Sequence, residues 1–279
     1  MATSIDEYPD FLVEAAKRVL LEIAHLLREY KDGMVIVGGS VPGMIISQTE
    51  QKHIGSIDVD IALNHYLIQD AGYRTISELL RMRGYIPGNQ PFIFYRNLMI
   101  DGHEVKVEVD FLAGEYGGTS KKHRTQVVQD LKPRKARACD LAFFDPIDVV
   151  IESLLPEGGK DKALIKVASI VPFLMMKSQA LNNRLKEKDA YDIYYCLSNY
   201  PGGIDEIVRA FQQFPMHSLV EEGLKIFRDK FFSIDAIGPV FVANFMGEED
   251  LETRAFLQRD AFERVQYILR AMQNSYLIS

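Results

Sequence analysis

Apolar residues recur at helical spacing near the start of the chain, and shorter apolar runs follow. In the segment 8–30, one helical face carries the apolar side chains Phe11, Ala15, Val19, Ile23, Leu26 and Leu27. This spacing predicts an amphipathic helix that ends at Asp32-Gly33. A buried strand is predicted at 34–37. It leads into Gly38-Gly39-Ser40 and then a helix up to Ile46 whose first turn holds Pro42.

The middle of the chain has the pattern of strands joined by short turns. Strands are predicted at 57–61, 91–98 and 104–112, and Asp101-Gly102 between the last two is a strong hairpin signal. A helix is predicted at 71–83, stopping at Gly84. The polar and basic segment 114–135 predicts a loop or lid. Two more strands are predicted at 139–144 and 164–168.

Helical periodicity dominates from Pro172 onward. Breaks are expected at Pro201-Gly202-Gly203, at Pro215 and at Gly238-Pro239. We therefore expect an α+β protein, with an α/β N-terminal domain at 1–168 that has a mixed, largely antiparallel sheet. A helical C-terminal domain should occupy 169–279.

Composition fits a folded, two-domain protein. The chain has 279 residues, of which 47% are hydrophobic, enough for real cores. No apolar run approaches the ~18 residues that span a bilayer, and the first ten residues are acidic, unlike a signal peptide. We expect a soluble, cytoplasmic protein that does not bind a membrane. Cys139 and Cys196 lack companions at metal-binding spacing and are predicted to be core residues.

Charge is uneven along the chain. The net charge of -7 argues against a broad face that coats nucleic acid. The segment 121–137 is locally basic, however, and only Asp130 opposes its cations. Two interpretations are open, a solvated loop or a docking surface for RNA or another anion. The cations are Lys121, Lys122, Arg124, Lys132, Arg134, Lys135 and Arg137.

Two aspartates stand on one face of the predicted strand at 57–61. Asp58 and Asp60 alternate with apolar residues, so their carboxylates point the same way. Such a pair repels itself unless a cation lies between, and Mg²⁺ prefers oxygen ligands. The strand at 104–112 offers Glu108 and Asp110 as a third carboxylate. We favour Asp110, because it opens the apolar stretch Phe111-Leu112.

The turn Gly38-Gly39-Ser40 precedes this acidic pair. Glycine lets the backbone approach a phosphate, the following helix points free N–H groups at the anion, and the Ser40 hydroxyl adds a donor. Alone, the turn could be any tight turn, and the acidic pair could be an exposed strand edge. Together, between a buried strand and a helix, they predict a metal and phosphate site.

The second cluster of charged residues lies in the predicted helices. Lys177 interrupts the apolar run 173–176 and lies two turns before Arg184, so both can face a triphosphate. Asp189 and Asp192, three apart on the next helix, either hold those cations in place or act near the attacking hydroxyl. For Arg184, Lys186 and Lys188, surface ion pairs are the alternative.

The combined motifs resemble the DNA polymerase β superfamily of nucleotidyltransferases. They are Gly39-Ser40, then Gly55-Ser56-x-Asp58-x-Asp60, then Asp110 on a later strand. More narrowly, the chain is similar to the AbiEii family of toxins in bacterial toxin-antitoxin systems. That likeness spans about 34–197 and is closest at Lys177, Ala180, Leu181, Arg184, Lys186, Lys188, Asp189 and Asp192.

The chain departs from the family pattern at two places. Val41-Pro42-Gly43 follows the serine, and Gln51-Lys52-His53-Ile54 precedes the acidic motif. His53 is predicted to be a packing or surface residue rather than a ligand. The tyrosines of the second helix are predicted to be core residues: Tyr191, Tyr194 and Tyr195.

The resemblance implies a polymerase β-like nucleotidyltransferase domain that binds Mg²⁺ (or Mn²⁺) and uses an NTP. It implies metal binding by Asp58, Asp60 and Asp110, and NTP binding by Gly38, Gly39, Ser40, Lys177 and Arg184. The implied catalytic residues are Asp58, Asp60, Asp110, Lys177, Asp189 and Asp192. A tRNA 3′ end held along 121–137 is the implied acceptor, and a cognate antitoxin is an implied partner. A protein or small-molecule acceptor, or a non-catalytic nucleotide-binding protein, is the alternative.

Overall fold

The computed structural model describes residues 4–46, 49–69, 74–120, 122–215 and 217–276. Backbone contacts divide them into two compact units. The sheet unit consists of Tyr8–Ile45 and the described parts of Ile54–Ser169. The helical unit consists of the described parts of Met1–Glu7, Ile46–His53 and Ile170–Ser279. The α+β class predicted from the sequence is confirmed.

A mixed sheet forms the centre of the sheet unit. Its described strands are β1 (Met34–Val37), β2 (Asp58–Leu63), β3 (Ile86–Pro87), β4 (Ile93–Ile100), β5 (His103–Ala113), β6 (Arg134–Lys135), β7 (Ile147–Leu154) and β8 (Lys160–Val167). The order is β3-β4-β5-β2-β1-β8-β7, with β6 beside β5. The pairs β2–β5, β1–β8 and β5–β6 are parallel, and the other pairs are antiparallel.

Three helices accompany this sheet in the described residues: α1 (Asp10–Leu26), α2 (Val41–Ile45) and α3 (Ile76–Met82). The apolar face of α1 is buried, as its spacing predicts. In α3, the Thr75 hydroxyl accepts from the Glu78 backbone N–H and the Glu78 carboxylate accepts from the Thr75 N–H. This capping box explains why the helix begins at Ile76. The first part of the helix predicted at 71–83 lies outside the described residues.

Two strand predictions in this unit need correction. The segment 139–144 is not a strand, because Cys139–Phe143 forms a 3₁₀ helix after Ala138 turns the chain with a φ of 66°. The strand predicted at 164–168 is the end of β8, and its partner β7 was missed. The outward side chains of both strands are exposed, so the sequence lacks the buried run that marks a central strand.

The helical unit contains α4 (Ile170–Arg184), α5 (Glu187–Asn199), α6 (Ile204–Gln213), α7 (Ser218–Lys230), α8 (Ile237–Phe245) and α9 (Leu251–Tyr276). The expected break at Gly238-Pro239 is wrong, because both residues lie in the first turn of α8. Proline is tolerated there, since the first backbone N–H groups of a helix have no partner within it. No helix in the described part of the chain is long and apolar enough to cross a membrane.

The interiors of the two units are apolar. Phe111 and Ile61 are fully buried in the sheet unit, and Phe173 is nearly so in the helical unit. Cys139 and Cys196 are buried free thiols, as the sequence predicts.

One buried carboxylate of the sheet unit stands among cations. Glu22 on α1 is 3% exposed and accepts hydrogen bonds from Arg83 at 2.6 Å, Tyr85 at 2.8 Å and Arg96 at 2.9 Å. Burial raises the pKa of Glu22, but the hydrogen bonds from Arg96, Tyr85 and Arg83 outweigh it, so the pKa lies below its usual value. The carboxylate therefore ties α1 to the sheet.

Replacing this carboxylate should weaken the fold. We expect Glu22→Gln to lower the free energy of unfolding by about 3 kcal/mol, because two arginines lose their buried partner. Glu157→Gln is the matched control. Glu157 contacts the same two arginines, but its side chain is 53% exposed, so the loss should be below about 1 kcal/mol. Urea unfolding near neutral pH measures both, and equal losses would contradict the assignment.

Candidate functional site

The parallel pair β2–β5 brings the predicted carboxylates to neighbouring positions. Asp60 is the register partner of Asp110, and Asp58 is the partner of Glu108. Partners on parallel strands share a face of the sheet, and adjacent strands lie about 4.8 Å apart. Asp58, Asp60 and Asp110 therefore stand on one face, as the metal-site prediction requires.

The glycine turn lies against one of these aspartates. Val37, the last residue of β1, pairs with Asp60, and Gly38 follows with a φ of 72°. A Cβ at Gly38 would lie 1.8 Å from Oδ2 of Asp60. Glycine is thus needed here so that the aspartate has room. The predicted phosphate-binding role of Gly38, Gly39 and Ser40 stays a prediction.

Asp58 and Asp110 each have a polar neighbour. The Ser56 hydroxyl donates to Oδ1 of Asp58. The Arg134 guanidinium donates to Oδ2 of Asp110 at 2.7 Å. Oδ1 of Asp110 is buried and has no hydrogen-bond partner in the described structure. An orphaned buried carboxylate oxygen is costly, and a cation is one way to satisfy it.

The electrostatics of Asp110 fit a crowded acidic site. Burial raises the pKa of Asp110 to about 6. Arg134 opposes that rise, while the carboxylates of Glu108 and Asp58 add to it. Arg134 therefore favours the charged form of Asp110 and opposes the effect of burial.

The donor chemistry at this face fits Mg²⁺ or Mn²⁺, since the candidate ligands are carboxylates with one oxygen unsatisfied. As the side chains stand, however, no group of three His, Cys, Asp or Glu in the described ranges is arranged to hold a metal ion. The cation that Asp110 now holds is Arg134. We conclude that Asp58, Asp60 and Asp110 are the candidate ligands, and that Arg134 competes for one of them.

Arg134 is held in place by strand pairing and an aromatic ring. It begins β6, where it is the register partner of Leu112 on β5. Its guanidinium carbon lies 5.8 Å from the centre of the Phe92 ring, a cation–π contact. The sequence showed Arg134 only as one cation in a basic stretch, and nothing in its spacing linked it to Asp110.

A cavity of about 910 Å³ opens beside Arg134. Five lysine or arginine side chains line it, and Glu115 is the acidic residue among the described lining residues. Phe92 and Tyr116 add aromatic surface. The basic side chains of segment 121–137 are thus partly gathered round one space. They are Lys122, Arg124, Arg134, Lys135 and Arg137, whereas Lys121 lies outside the described residues.

The loop that forms this cavity is folded rather than loose. The Gln126 side chain is fully buried. Its amide nitrogen donates to the carbonyls of Gly114 at 2.9 Å and Gly117 at 3.1 Å, and its oxygen accepts from the Thr119 N–H at 2.9 Å. Lys135 donates to the carbonyls of Thr119 at 2.8 Å and Ser120 at 3.0 Å. The described residues of 114–133 thus form a hydrogen-bonded loop, whereas Arg134–Lys135 of the predicted segment form the short strand β6. The alternative role as a lid stays a prediction.

The second predicted cluster lies within the helical unit. The Lys177 ammonium on α4 is 3.0 Å from Asp189 and 2.6 Å from Asp192, both on α5. Arg184 donates twice to Asp189, each time at 2.7 Å. Lys177 is 6% exposed, so as the structure stands these cations face aspartates. Of the two roles predicted for the aspartates, holding the cations is the one that these contacts match.

Asp192 is the centre of that cluster. It is fully buried and also contacts Lys188 at 2.8 Å and His53 at 3.0 Å. Burial raises the pKa of Asp192, but Lys177, Lys188 and the His53 hydrogen bond hold it well below its usual range. The pKa of His53 is also below its usual value, in this case because burial disfavours the charged imidazolium. Sequence reasoning predicted His53 to be a packing or surface residue and missed its hydrogen bond to Asp192.

The tyrosines of α5 surround this cluster. Tyr191 stacks on His53 with ring centres 5.6 Å apart, and Tyr195 meets the same ring edge-on at 4.7 Å. Both are buried, as predicted. Tyr194 is half-buried rather than a core residue, so its prediction is wrong, and its hydroxyl donates to Asp260 at 2.9 Å. These tyrosines therefore contribute packing and local hydrogen bonds.

In comparisons with known proteins, no family model, curated protein or solved structure matches the chain.

Removing the competing cation should strengthen metal binding. We expect Arg134→Met to raise the affinity for Mn²⁺ about tenfold, because a positive charge leaves the carboxylates. Mn²⁺ electron paramagnetic resonance at a pH well above the pKa of Asp110 measures this. Arg137→Met is the control, since Arg137 also lines the cavity but pairs with Glu115. An affinity that changes equally in both variants would refute the competition.

The aspartate at the centre of the helical cluster should be needed for folding. We expect Asp192→Asn to lower the free energy of unfolding of the helical unit by about 3 kcal/mol. Asp260→Asn, which loses a part-exposed pair with Arg264, should cost about 1 kcal/mol or less.

The pH dependence of this loss in the free energy of unfolding follows from the direction in which the pKa of Asp192 is shifted. Because the pKa of Asp192 is lowered, its contribution is present above the unfolded value of about 3.9. It is lost only as the pH falls through the lower folded value. Urea unfolding of wild type and Asp192→Asn should therefore differ by a constant amount from neutral pH down to about pH 5. A difference that shrinks within this range would contradict the burial of the charged form.

Proposed function

We propose that this protein is a metal-dependent nucleotidyltransferase that moves NMP from an NTP to an acceptor hydroxyl. One observation carries the proposal. Asp58 and Asp60 on β2 share a face with Asp110, the register partner of Asp60 on β5. The glycine turn before α2 and the orphaned Oδ1 of Asp110 support it. The resemblance to polymerase β-like enzymes and AbiEii toxins points to the same class.

The reaction is a displacement at the α-phosphorus of the NTP. The acceptor oxygen forms a new P–O bond, the bond between the α- and β-phosphates breaks, and pyrophosphate leaves with the electron pair. Mg²⁺ or Mn²⁺, when held by Asp58, Asp60 and Asp110, supplies neutralisation of the phosphate charge. Asp110 is assigned a further role as acceptor of the hydroxyl proton, because a carboxylate beside the reacting hydroxyl can act as a general base.

The other parts of the proposal rest on resemblance. Gly38, Gly39 and Ser40 are assigned to the NTP phosphates. For Lys177 and Arg184 this role stays a prediction from the resemblance, because their cations are paired with Asp189 and Asp192 within the helical unit. A tRNA 3′ end is the proposed acceptor, and the cavity cations suit its phosphates. A role as the toxin of a cytoplasmic toxin-antitoxin system, with a cognate antitoxin, belongs to the same proposal.

A second candidate function is a non-catalytic nucleotide-binding protein. It is favoured by one specific observation, the Arg134 guanidinium on Asp110, which occupies a carboxylate that catalysis requires. Such a protein would bind NTP tightly and release no pyrophosphate. A protein or small-molecule acceptor is distinguished from RNA by where the transferred label appears.

The carboxylates should be essential for transfer. Wild type is incubated with each α-labelled NTP, Mg²⁺ and total RNA, and the label is followed into RNA, into protein and into small molecules. We expect label in tRNA, and a loss of at least about 100-fold in Asp60→Asn and Asp110→Asn, because the reacting phosphate loses charge stabilisation. Glu104→Gln, an exposed change on the same β5 strand, should keep wild-type rates. Wild-type rates in Asp60→Asn would exclude this mechanism.

A further inference from the structure

The basic cavity has free cations that the metal site does not use. Lys122 and Arg124 are exposed, and among the residues that the structure describes neither side chain forms an ion pair with an acidic residue. Arg137 is instead paired with Glu115 at 2.8 Å, and Lys135 is bound to backbone carbonyls. Arg137 and Lys135 thus bind other parts of the protein, and the side chains of Lys122 and Arg124 are available to a ligand.

The shape and surface of the cavity suit a chain of phosphates with attached bases. Its volume of about 910 Å³ is at the upper end of the range for small-molecule sites, about 300–1,000 Å³. Tyr116 is 42% exposed, and a part-exposed ring offers a face on which a base stacks. A single small anion would leave most of this space and both aromatic rings unused.

Arg134 connects this cavity with the carboxylates. It lines the cavity, and its side chain is 42% exposed although one nitrogen donates to Asp110. A guanidinium has five donors and binds phosphate through two of them at once. A phosphate in the cavity is therefore a strong competitor for Arg134.

We propose that the cavity binds the phosphates of a single-stranded nucleic acid, and that Arg134 passes from Asp110 to a bound phosphate. The exchange frees Oδ2 of Asp110 beside the orphaned Oδ1. Binding of the strand and binding of a divalent cation then strengthen each other. The strand draws Arg134 away from Asp110, and the cation takes the place of Arg134 on that carboxylate. The inference rests on the proposed function for the nucleic-acid ligand and for the role of Asp110 as a metal ligand, and adds the movement of Arg134.

The first test measures binding without any metal or transfer. A fluorescent single-stranded RNA and fluorescent ATP are titrated with the full chain in EDTA by anisotropy, over a range of salt. We expect the double variant Lys122→Gln, Arg124→Gln to bind the RNA about tenfold more weakly. Its salt slope should fall by about 0.7 for each lost phosphate contact. Lys132→Gln removes an exposed charge of the same loop outside the cavity lining and should keep the wild-type slope.

The second test isolates Arg134. Asp110→Asn releases the guanidinium, so RNA should bind about threefold more tightly than to Asp58→Asn, which removes the same charge from β2 without releasing Arg134. In an Arg134→Met background, the extra gain from Asp110→Asn should vanish, as a double-mutant cycle requires. Circular dichroism checks that each variant is folded.

Several results would overturn the inference. The first is that the double variant binds the RNA as tightly as wild type does, and the second is that the protein binds ATP but not the RNA. The third is that Asp110→Asn binds the RNA no more tightly than Asp58→Asn does. The proposed function is judged separately. A protein that binds RNA in the expected way but transfers no label keeps this inference and loses that function, whereas transfer without the binding effects does the reverse.

Discussion

Repulsion between carboxylates on neighbouring strands is the constraint on which the candidate site depends. The parallel pairing of β2 and β5 puts Asp60 opposite Asp110, with Asp58 and Glu108 one pair away on the same face. Such a row raises the pKa of its carboxylates unless positive charge lies beside it. Arg134 supplies it, and because β6 pairs with β5, the neutralising cation is built into the same sheet.

Buried carboxylates elsewhere follow the same rule. Glu22 in the sheet unit and Asp192 in the helical unit each accept contacts from several donors, and each has a lowered pKa as a result. Asp110 differs, since it has one cation and a raised pKa. Glu22 and Asp192 are therefore neutralised by several donors of the fold, whereas Asp110 keeps one oxygen without a hydrogen-bond partner.

Sequence patterns predicted the parts of the fold that depend on local chemistry. The Asp101-Gly102 hairpin, the strand after α1 and the Gly38-Gly39-Ser40 turn are all present, because glycine conformation and residue alternation are local signals. The β7–β8 hairpin was missed, since its outward faces are exposed. The 3₁₀ helix at Cys139–Phe143 depends on a backbone turn at Ala138 that no composition rule marks.

Within the site, alternation along one strand predicted which carboxylates share a face. The choice of Asp110 over Glu108 stays a prediction, since both have an aspartate as register partner on β2. Contacts between distant segments were beyond the sequence. Arg134 on Asp110 and His53 on Asp192 join residues 24 and 139 positions apart, and no spacing rule reaches that far. The metal ligands, the NTP and the acceptor stay predictions.

The Gln126 amide has a consequence for how this protein can change. It stabilises the loop through neutral hydrogen bonds to Gly114, Gly117 and Thr119. Arg124 adds only its backbone carbonyl, which accepts from the Lys135 N–H, so the charge of its side chain is separate from these bonds. The charges of Lys122 and Arg124 can therefore be changed by substitution without loss of the hydrogen bonds that Gln126 makes. The electrostatic character of the cavity and the shape of its loop are thus set by different side chains.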